Sequence, residues 1–193
     1  MFIVFEGRMG SGKTLSSTVF AVLDWYEADR KIIANYVIDL DQINRDEPIK
    51  EVKEGDFTYL TYKDFVEDMN NNKQFYGVTF IIDEAYLHAD SRLSQSGYSR
   101  LLTYFALQSR KRDVDLYLTS QQFQNLDIRL RWNADIRGIC RYNPLTQVCR
   151  VRLIDLRSGF KRTVKIYGPE YFPFYDTHEV PPLRPFHIDS VKL

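Results

Sequence analysis

The hydrophobic and polar positions along the chain form short apolar runs that alternate with segments of helical periodicity. Short apolar runs bounded by polar or turn-forming residues are typical of β-strands. They predict strands at 2–5, 31–37, 57–60, 78–82, 115–119, 136–142, 148–156 and 162–167. Apolar residues spaced three or four apart predict helices at 15–27, 62–70, 100–111 and 125–132. The polar stretches 39–56 and 90–98 are expected to be connections.

The order of these elements predicts a fold class. Strands that alternate with helices favour a parallel β-sheet covered on both faces. After residue 136 the pattern changes to a β-hairpin over 136–156, followed by one more strand. No internal repeat is visible. We therefore expect an α/β domain over 1–167 that includes the basic hairpin, and an extended proline-rich arm over 168–193.

A glycine-rich segment between the first strand and the first helix carries the clearest chemistry. It consists of Gly7, Arg8, Met9, Gly10, Ser11, Gly12, Lys13 and Thr14, which fit the pattern G-x-x-x-x-G-K-[ST] in full. Glycines let backbone N–H groups turn inward around a phosphate, and the start of the following helix adds a favourable dipole. Lys13 is expected to reach the β- and γ-phosphates, and the Thr14 hydroxyl to ligate Mg²⁺. The segment predicts a binding site for ATP and Mg²⁺.

Two acids, Asp83 and Glu84, follow the apolar run at 78–82. Ligands of parallel sheets bind at the carboxyl ends of the strands. Asp83 is therefore expected to hold the Mg²⁺ shell, as a Walker B aspartate does, and Glu84 to orient and polarise the attacking water. The alternative is a helix N-cap with an acid in its first turn. Lys13 and Thr14 upstream favour the catalytic interpretation.

A polar amide follows the strand predicted at 115–119. Gln121 is placed to reach the γ-phosphate and to report its presence, and the neighbouring Gln122 is the second candidate. The alternative is an ordinary exit from a strand into a loop.

Charge is balanced in total but unevenly distributed. The chain of 193 residues has 44% hydrophobic and 27% charged residues, which is enough to form a core, and a formal net charge of zero. Seven acids and three bases lie in 39–56, whereas ten bases and two acids lie in 129–165. The arginines of this basic stretch are 129, 131, 137, 141, 150, 152, 157 and 162. They are candidates for contact with nucleic-acid phosphates or with ATP on a neighbouring subunit, and the alternative is a solvated outer face.

The chain shows no apolar run of the roughly 18 to 20 residues that a membrane-spanning helix needs, and no signal peptide is recognisable at its start. We expect an intracellular protein, or one assembled inside a particle. A turn at 143–146 would place Cys140 opposite Cys149, either as two reduced thiols or as a cross-strand disulfide. The three histidines show no metal-ligand spacing with these cysteines.

The order of the motifs resembles a known family of ATPases. The segment 7–14, the pair Asp83-Glu84 and the run Thr119-Ser120-Gln121, with an extra strand between the first two motifs, resemble an additional-strand, catalytic-glutamate ATPase. Within that group the chain resembles the FtsK–HerA superfamily, and most of all small viral genome-packaging ATPases and the zonula occludens toxin-like assembly proteins of filamentous phages. The likeness covers roughly residues 1–141.

This resemblance implies a RecA-like P-loop NTPase core, a homo-oligomeric ring of five or six subunits, and ATP-driven movement of double-stranded DNA. In such rings an arginine from the adjacent subunit completes the active site. Arg110, Arg129 and Arg131 are the candidates, with Arg131 preferred to Arg129 because Leu130 and Trp132 suggest that the helix packs there.

Two departures from the family favour one function within it. The chain begins six residues before Gly7, without the N-terminal barrel of HerA-type proteins, and shows no membrane segment after the ATPase domain. We therefore expect a packaging motor subunit that drives DNA into a capsid, has capsid or portal-vertex partners, is not stably inserted in a membrane, and lies in the host cytoplasm or on the virion or procapsid. The alternatives are a filamentous-phage extrusion ATPase, a cellular DNA-transfer ATPase, a P-loop nucleotide kinase and a regulatory nucleotide switch.

Overall fold

A computed structural model describes residues 1–43, 50–71, 74–87 and 97–176. Within these ranges the chain forms eight strands and five α-helices. The strands are β1 (Phe2–Glu6), β2 (Lys31–Ala34), β3 (Phe57–Tyr59), β4 (Val78–Ile82), β5 (Asp115–Ser120), β6 (Ile136–Asn143), β7 (Val148–Asp155) and β8 (Lys161–Tyr167). The helices are α1 (Lys13–Ala28), α2 (Leu40–Ile43), α3 (Tyr62–Asn70), α4 (Gly97–Gln108) and α5 (Ile128–Asn133).

The strands form one sheet in the order β3-β2-β4-β5-β1-β6-β7-β8. Every pair from β3 to β6 is parallel, and β6, β7 and β8 pair antiparallel. The carboxyl ends of β4, β5 and β1 therefore lie side by side at one edge. This arrangement confirms the predicted α/β fold with a mainly parallel sheet, and the predicted hairpin continues the same sheet.

Both faces of the parallel part are covered, as the apolar strands predict. Successive side chains of a strand point to opposite faces. Phe2, Val4, Leu116 and Leu118 belong to the core beneath α3, α4 and α5, whereas Ile3, Phe5, Ile81 and Tyr117 belong to the core beneath α1. All five residues of β4 are buried. The two cores hold β1, β4 and β5, and thus the predicted site residues at their ends, on a rigid support.

Several boundaries differ from the prediction, among them both ends of α4, which spans Gly97–Gln108 instead of 100–111 and includes residues 97 and 98 of the predicted loop. At two other boundaries a side chain binds the backbone. β2 ends at Ala34 instead of residue 37, since the Asn35 side chain bonds to the main chain of Asp83. The helix predicted over 125–132 begins at Ile128, because the Asp127 carboxylate caps it by accepting a hydrogen bond from the Arg129 N–H. The predicted connection 39–56 contains α2, while its residues 44–49 and residues 90–96 of the predicted loop lie outside the described residues.

The predicted pairing of Cys140 with Cys149 is wrong. Cys140 lies opposite Val151, and Cys149 opposite Tyr142, because the strands continue to Asn143 and Val148. Gln147 closes the turn in a left-handed conformation with φ 54°. The register differs from the prediction by two residues, which preserves the face. The two cysteines are therefore buried diagonal neighbours on one face, and both are reduced.

The described part of the C-terminal arm packs on the domain. Ile38 forms an isolated antiparallel bridge with Tyr175, and the Asp39 N–H donates to the carbonyl of Phe174 at 2.7 Å. Residues 177–193 lie outside the described residues, and the predicted boundary at 167/168 stays a prediction. None of the described helices is both long enough and apolar enough to cross a membrane.

Candidate nucleotide site

The glycine-rich segment forms a tight loop between β1 and α1. Gly10 and Gly12 have φ values of 70° and 85°, a left-handed conformation that glycine adopts without strain. The Ser16 N–H donates to the Gly12 carbonyl at 2.9 Å and begins the hydrogen bonding of α1. The Lys13 ammonium donates to the Arg8 carbonyl at 3.3 Å, so the side chain turns back over the loop. This geometry places the lysine over the loop at which the sequence predicts a phosphate-binding site.

The two motifs predicted to bind Mg²⁺ meet at the sheet edge. The Thr14 hydroxyl donates to both carboxylate oxygens of Asp83, at 3.1 and 3.2 Å. The residues are 69 positions apart in sequence. Hydroxyl and carboxylate oxygens are the ligands that a hard cation such as Mg²⁺ prefers. The described residues contain no cluster of three or more His, Cys, Asp or Glu able to hold a metal, so phosphates and water would supply most of the Mg²⁺ ligands.

Asp83 is held by a neighbour on β5. The Thr119 hydroxyl donates to the Asp83 carboxylate at 2.6 Å and accepts from the Glu84 N–H at 2.8 Å. Burial raises the pKa of Asp83, and the Thr119 hydrogen bond opposes part of that rise. A bound divalent cation would favour the ionised carboxylate.

Asn35 fixes the backbone at the same point. Its amide donates to the Asp83 carbonyl at 3.0 Å, and its side-chain oxygen accepts from the Asp83 N–H at 2.7 Å. These two bonds satisfy the main chain where β4 ends. The next residue, Glu84, adopts a left-handed conformation with φ 53°, which is uncommon outside glycine and costs of order 1–3 kcal/mol.

Orphaned polar atoms test whether the residues fit a nucleotide. Among the described residues, three buried side-chain polar atoms have no hydrogen-bond partner: Ser11 Oγ, Glu84 Oε2 and Arg112 Nη1. Two of them belong to the predicted site. Buried polar groups are nearly always paired, so unpaired ones in a site call for a ligand or water. Both the donor set and these orphans fit MgATP and a water molecule.

The segment after β5 is tied to β1 and β6 by a buried carboxylate. Glu6, at the end of β1, accepts from the Phe123 N–H at 2.7 Å, two residues after Gln121. Its other oxygen accepts two hydrogen bonds from Arg137, at 2.8 and 2.5 Å. The Arg137 guanidinium also lies 5.3 Å from the centre of the Phe123 ring. Gln121 is half-buried at the edge that holds Asp83, and its contact with a γ-phosphate stays a prediction.

Cysteine side chains lie directly beneath the glycine-rich loop. The Cys149 Sγ atom is 3.5 Å from the Ser11 carbonyl oxygen, and the Cys140 Sγ atom is 3.5 Å from the Ser16 hydroxyl oxygen. A hydrogen bond from the Cys140 thiol lowers the pKa of Cys149 to about 7, and the pKa of Cys140 is raised correspondingly. The β6-β7 hairpin thus packs against the glycine-rich loop and the start of α1 through these two cysteines.

The three arginines proposed to act on a neighbouring subunit each have a partner within the chain. Arg110 pairs with Asp135, Arg129 with Asp127 at 2.8 Å, and the Arg131 side chain donates to the Leu126 carbonyl at 3.0 Å. Leu130 is fully buried, as expected. Trp132 is 78% exposed, so the packing of this helix within the chain comes from Leu130 and not from Trp132, and α5 presents a large aromatic side chain to its surroundings.

Sequence reasoning missed the contacts that four residues make at this site. Glu6, Arg137 and Cys149 lie on β1, β6 and β7, and Asn35 directly follows β2. Asn35 could have been identified as a polar residue that directly follows the apolar strand β2. The carboxyl ends of neighbouring parallel strands such as β2 and β4 meet at one edge of the sheet. Glu6 carried a weaker signal as a charged residue directly after an apolar strand.

This fold and this site together define a P-loop NTPase. The chain matches the family described as Zonular occludens toxin (Zot) over residues 1–166, and it therefore belongs to that family. We found no match to it among curated proteins.

Solved structures agree with this assignment at the level of the fold. The N-terminal domain of zonular occludens toxin from Neisseria meningitidis is 15% identical, with a TM-score of 0.58 over 91% of this chain and 98% of that chain. The genome packaging NTPase B204 from Sulfolobus turreted icosahedral virus 2, in complex with ATP-gammaS, is 14% identical, with a TM-score of 0.58 over 84% and 95%. The DNA-packaging ATPase B204 from Sulfolobus turreted icosahedral virus is 17% identical, with a TM-score of 0.56 over 84% and 95%. The resemblance seen in the sequence to zonula occludens toxin-like and viral packaging ATPases is thereby confirmed.

Proposed function

We propose that the protein is a Mg²⁺-dependent ATPase that converts ATP and water to ADP and phosphate. The observation that carries this proposal is the meeting of Thr14 and Asp83 beside Lys13 and the unpaired Glu84 carboxylate oxygen. Lys13 and the backbone of 7–14 bind the phosphates. When bound, Mg²⁺ neutralises charge on the β- and γ-phosphates, and Thr14 and Asp83 are the residues that would hold it.

Glu84 orients the attacking water and takes its proton while the water oxygen attacks the γ-phosphorus. The bond from the γ-phosphorus to the β–γ bridging oxygen breaks in the same step, and ADP leaves. A positioned general base contributes roughly 10²- to 10⁴-fold in rate. Gln121 contacts the γ-phosphate. Loss of this contact after hydrolysis shifts the segment up to Phe123, whose N–H donates a hydrogen bond to Glu6. Asn35 and Thr119 keep Asp83 and Glu84 in place.

Substitutions test the ATPase. Glu84→Gln is expected to bind MgATP and to turn over roughly 10²- to 10⁴-fold more slowly than wild type, because an amide is a poor base. Lys13→Ala is expected to abolish hydrolysis and to weaken ATP binding. Glu27→Gln removes an exposed acid from α1 and serves as the matched control, with activity unchanged. Wild-type turnover in Glu84→Gln would reassign the base, and wild-type turnover in Lys13→Ala would refute the ATPase proposal.

We also propose that ATP hydrolysis by this protein drives the movement of double-stranded DNA. In this proposal the protein is a subunit of a packaging motor in the host cytoplasm or at the procapsid. The excess of ten bases over two acids in 129–165 supports a DNA substrate, as does the fold shared with the two packaging proteins named above. The second candidate is assembly or extrusion of a filamentous phage, which the family match over residues 1–166 favours.

Two assays separate the candidate activities. Stimulation of ATP hydrolysis by duplex DNA supports a translocase, whereas phosphate transfer to nucleoside monophosphates would identify a kinase. Copurification identifies the partners: capsid or portal proteins would support packaging, whereas membrane assembly proteins would support extrusion. Wild-type protein that neither binds DNA nor responds to it, in the assembled state, would refute the translocase.

A homo-oligomeric ring is part of the same proposal. Exposed Trp132 on α5, beside Arg129 and Arg131, supports a subunit contact there. Mixing an Arg131→Ala subunit with a Lys13→Ala subunit is expected to recover activity that neither has alone. At one of the two kinds of mixed interface, the intact arginine of the Lys13→Ala subunit meets the intact loop of the Arg131→Ala subunit. The same mixtures with Arg129→Ala and Arg110→Ala compare the three candidates. Absence of recovery in all three, while rings still form, would refute an arginine acting across the interface.

A further inference from the structure

The outer face of the β6-β7-β8 meander gathers cations in adjacent rows. Arg141 lies opposite Arg150, which lies opposite Lys165. In the flanking rows Arg152 and Lys161 occupy the same face, because alternate residues of a strand point the same way. We call Arg141, Arg150, Arg152, Lys161 and Lys165 the basic face. All five are exposed.

The protein itself does not neutralise this face. Among the described residues, none of the five has an acidic partner within ion-pair distance, whereas Arg137 on the same face is paired with Glu6. Opposed side chains on neighbouring strands lie about 4.5–5.5 Å apart, and like charges in that position destabilise a sheet. The row of Arg141, Arg150 and Lys165 therefore disfavours the isolated fold, and a polyanion would relieve the repulsion.

The opposite face explains why the cations share one side. Cys149, Val151 and Ile166 are buried there beneath α1 and the C-terminal segment. The pleat then leaves the outer face to solvent. Between the cations lie Thr163 and the half-buried Ile139 and Ile154, and the exposed Tyr167 follows Lys165 on the same face. The cations are spread over three neighbouring strands, a width of about 10 Å, and can therefore contact several phosphates of one nucleic acid.

The basic face is also joined to the nucleotide site. Arg137 stands in a row with Lys161 on this face and binds Glu6, the last residue before the glycine-rich loop. Glu6 in turn holds the Phe123 N–H behind Gln121. A ligand on the face and a phosphate in the loop therefore act on one connected set of charged groups.

We propose that the basic face binds the sugar-phosphate backbone of duplex DNA, an inference that rests on the proposed DNA translocation. Contacts to phosphates carry no sequence information, which suits a motor that holds any sequence it passes. Their affinity falls steeply with salt because each neutralised phosphate releases counterions.

The test combines three substitutions, Arg141→Gln, Arg150→Gln and Lys165→Gln, in one variant. A control variant carries Lys31→Gln, Lys53→Gln and Lys63→Gln, exposed lysines elsewhere that give the same change of net charge. Binding of a fluorescent duplex is measured by anisotropy over a series of salt concentrations. The slope of log affinity against log salt is expected to fall in magnitude by about 3 in the face variant, with roughly 10-fold or greater loss of affinity at about 0.1 M salt. ATP hydrolysis without DNA stays unchanged in both variants, and its stimulation by DNA is lost in the face variant.

Each outcome separates the inference from the proposed function. Wild-type protein without DNA affinity refutes the proposed translocase, and the basic face then loses its partner. If wild type binds DNA and the face variant binds it equally well, the basic face is not the DNA-binding surface. The same conclusion follows if the control variant loses as much affinity as the face variant, although DNA binding by the protein is then still established. Binding to phosphatidylserine vesicles that depends on the face, with DNA affinity unaffected, would assign it to a membrane and overturn the proposal. Thermal unfolding checks the fold: the face variant is expected to be at least as stable as wild type. If it unfolds, Arg150→Gln alone, at the centre of the row, carries the test.

Discussion

Substitution of Gly12 by alanine tests the contact between the glycine-rich loop and the hairpin beneath it. A Cβ atom at this position would lie 2.7 Å from Cys149 Sγ and 3.3 Å from Cys149 Cβ. The φ of 85° adds a left-handed conformation that costs an L-residue roughly 1–2 kcal/mol. Overpacking of a buried site costs typically about 1–3 kcal/mol. The sum for Gly12→Ala is about 2–5 kcal/mol.

Gly10→Ala separates the two contributions. Gly10 has a φ of 70°, but a Cβ there would meet nothing within 4 Å. The free energy of unfolding of this control variant is therefore expected to fall only by the conformational cost, about 1–2 kcal/mol. Urea unfolding measures the loss of stability, and titration with a fluorescent ATP analogue measures how much of it appears as weakened binding.

A second substitution identifies the clashing atom. Cys149→Ala removes Sγ and is expected to return about 1–3 kcal/mol to the Gly12→Ala protein in a double-mutant cycle, with no such recovery in Gly10→Ala. If Gly10→Ala costs as much as Gly12→Ala, and Cys149→Ala restores nothing, the loop does not rest on the thiol.

Two further predictions concern the support of the site. Asn35→Ala leaves the Asp83 backbone without two hydrogen bonds, so we expect a loss of about 1–3 kcal/mol in urea unfolding and a lower kcat; unchanged values of both would show that Asn35 does not position Asp83. The pKa of Cys149 is lowered to about 7 in the folded chain, from an ordinary value of 9.0, mainly by the hydrogen bond from Cys140. Because the folded state releases this proton more readily, the thiolate adds stability that is fully present above about pH 9, and the contribution is lost as the pH falls through about 7. Wild type is therefore expected to gain of order 1 kcal/mol over Cys149→Ser between about pH 6.5 and 9. A constant difference between the two proteins would contradict the assignment.

The α/β fold and the motif residues were predictable because their signals are local. A strand of apolar residues, a glycine-rich loop and a helical period follow from propensities and side-chain spacing within about 30 residues. The same holds for Asp83 and Glu84, since any acid that ends a buried parallel strand lies at the edge where ligands bind. The shared face of Arg150 and Arg152 follows from the alternation of a strand.

Contacts between distant strands were decided by the tertiary structure. Glu6 and Arg137 are 131 positions apart, and Asn35 and Asp83 are 48 apart. Such contacts depend on strand order and register, which the local pattern does not encode. The cysteines show this most clearly: a two-residue error in register kept both on the predicted face but exchanged the residues opposite them.

The sequence alone determined three features: the nucleotide-binding loop, the two acids and the layered α/β fold. Each of them depends on residues that are close together along the chain. Only the tertiary structure places Thr119 and Asn35 around Asp83, Cys149 beneath Gly12, and the cations of three strands in adjacent rows. The physical reason is that these arrangements arise when the two cores close on the sheet and set the positions of β1, β4, β5 and the meander relative to one another.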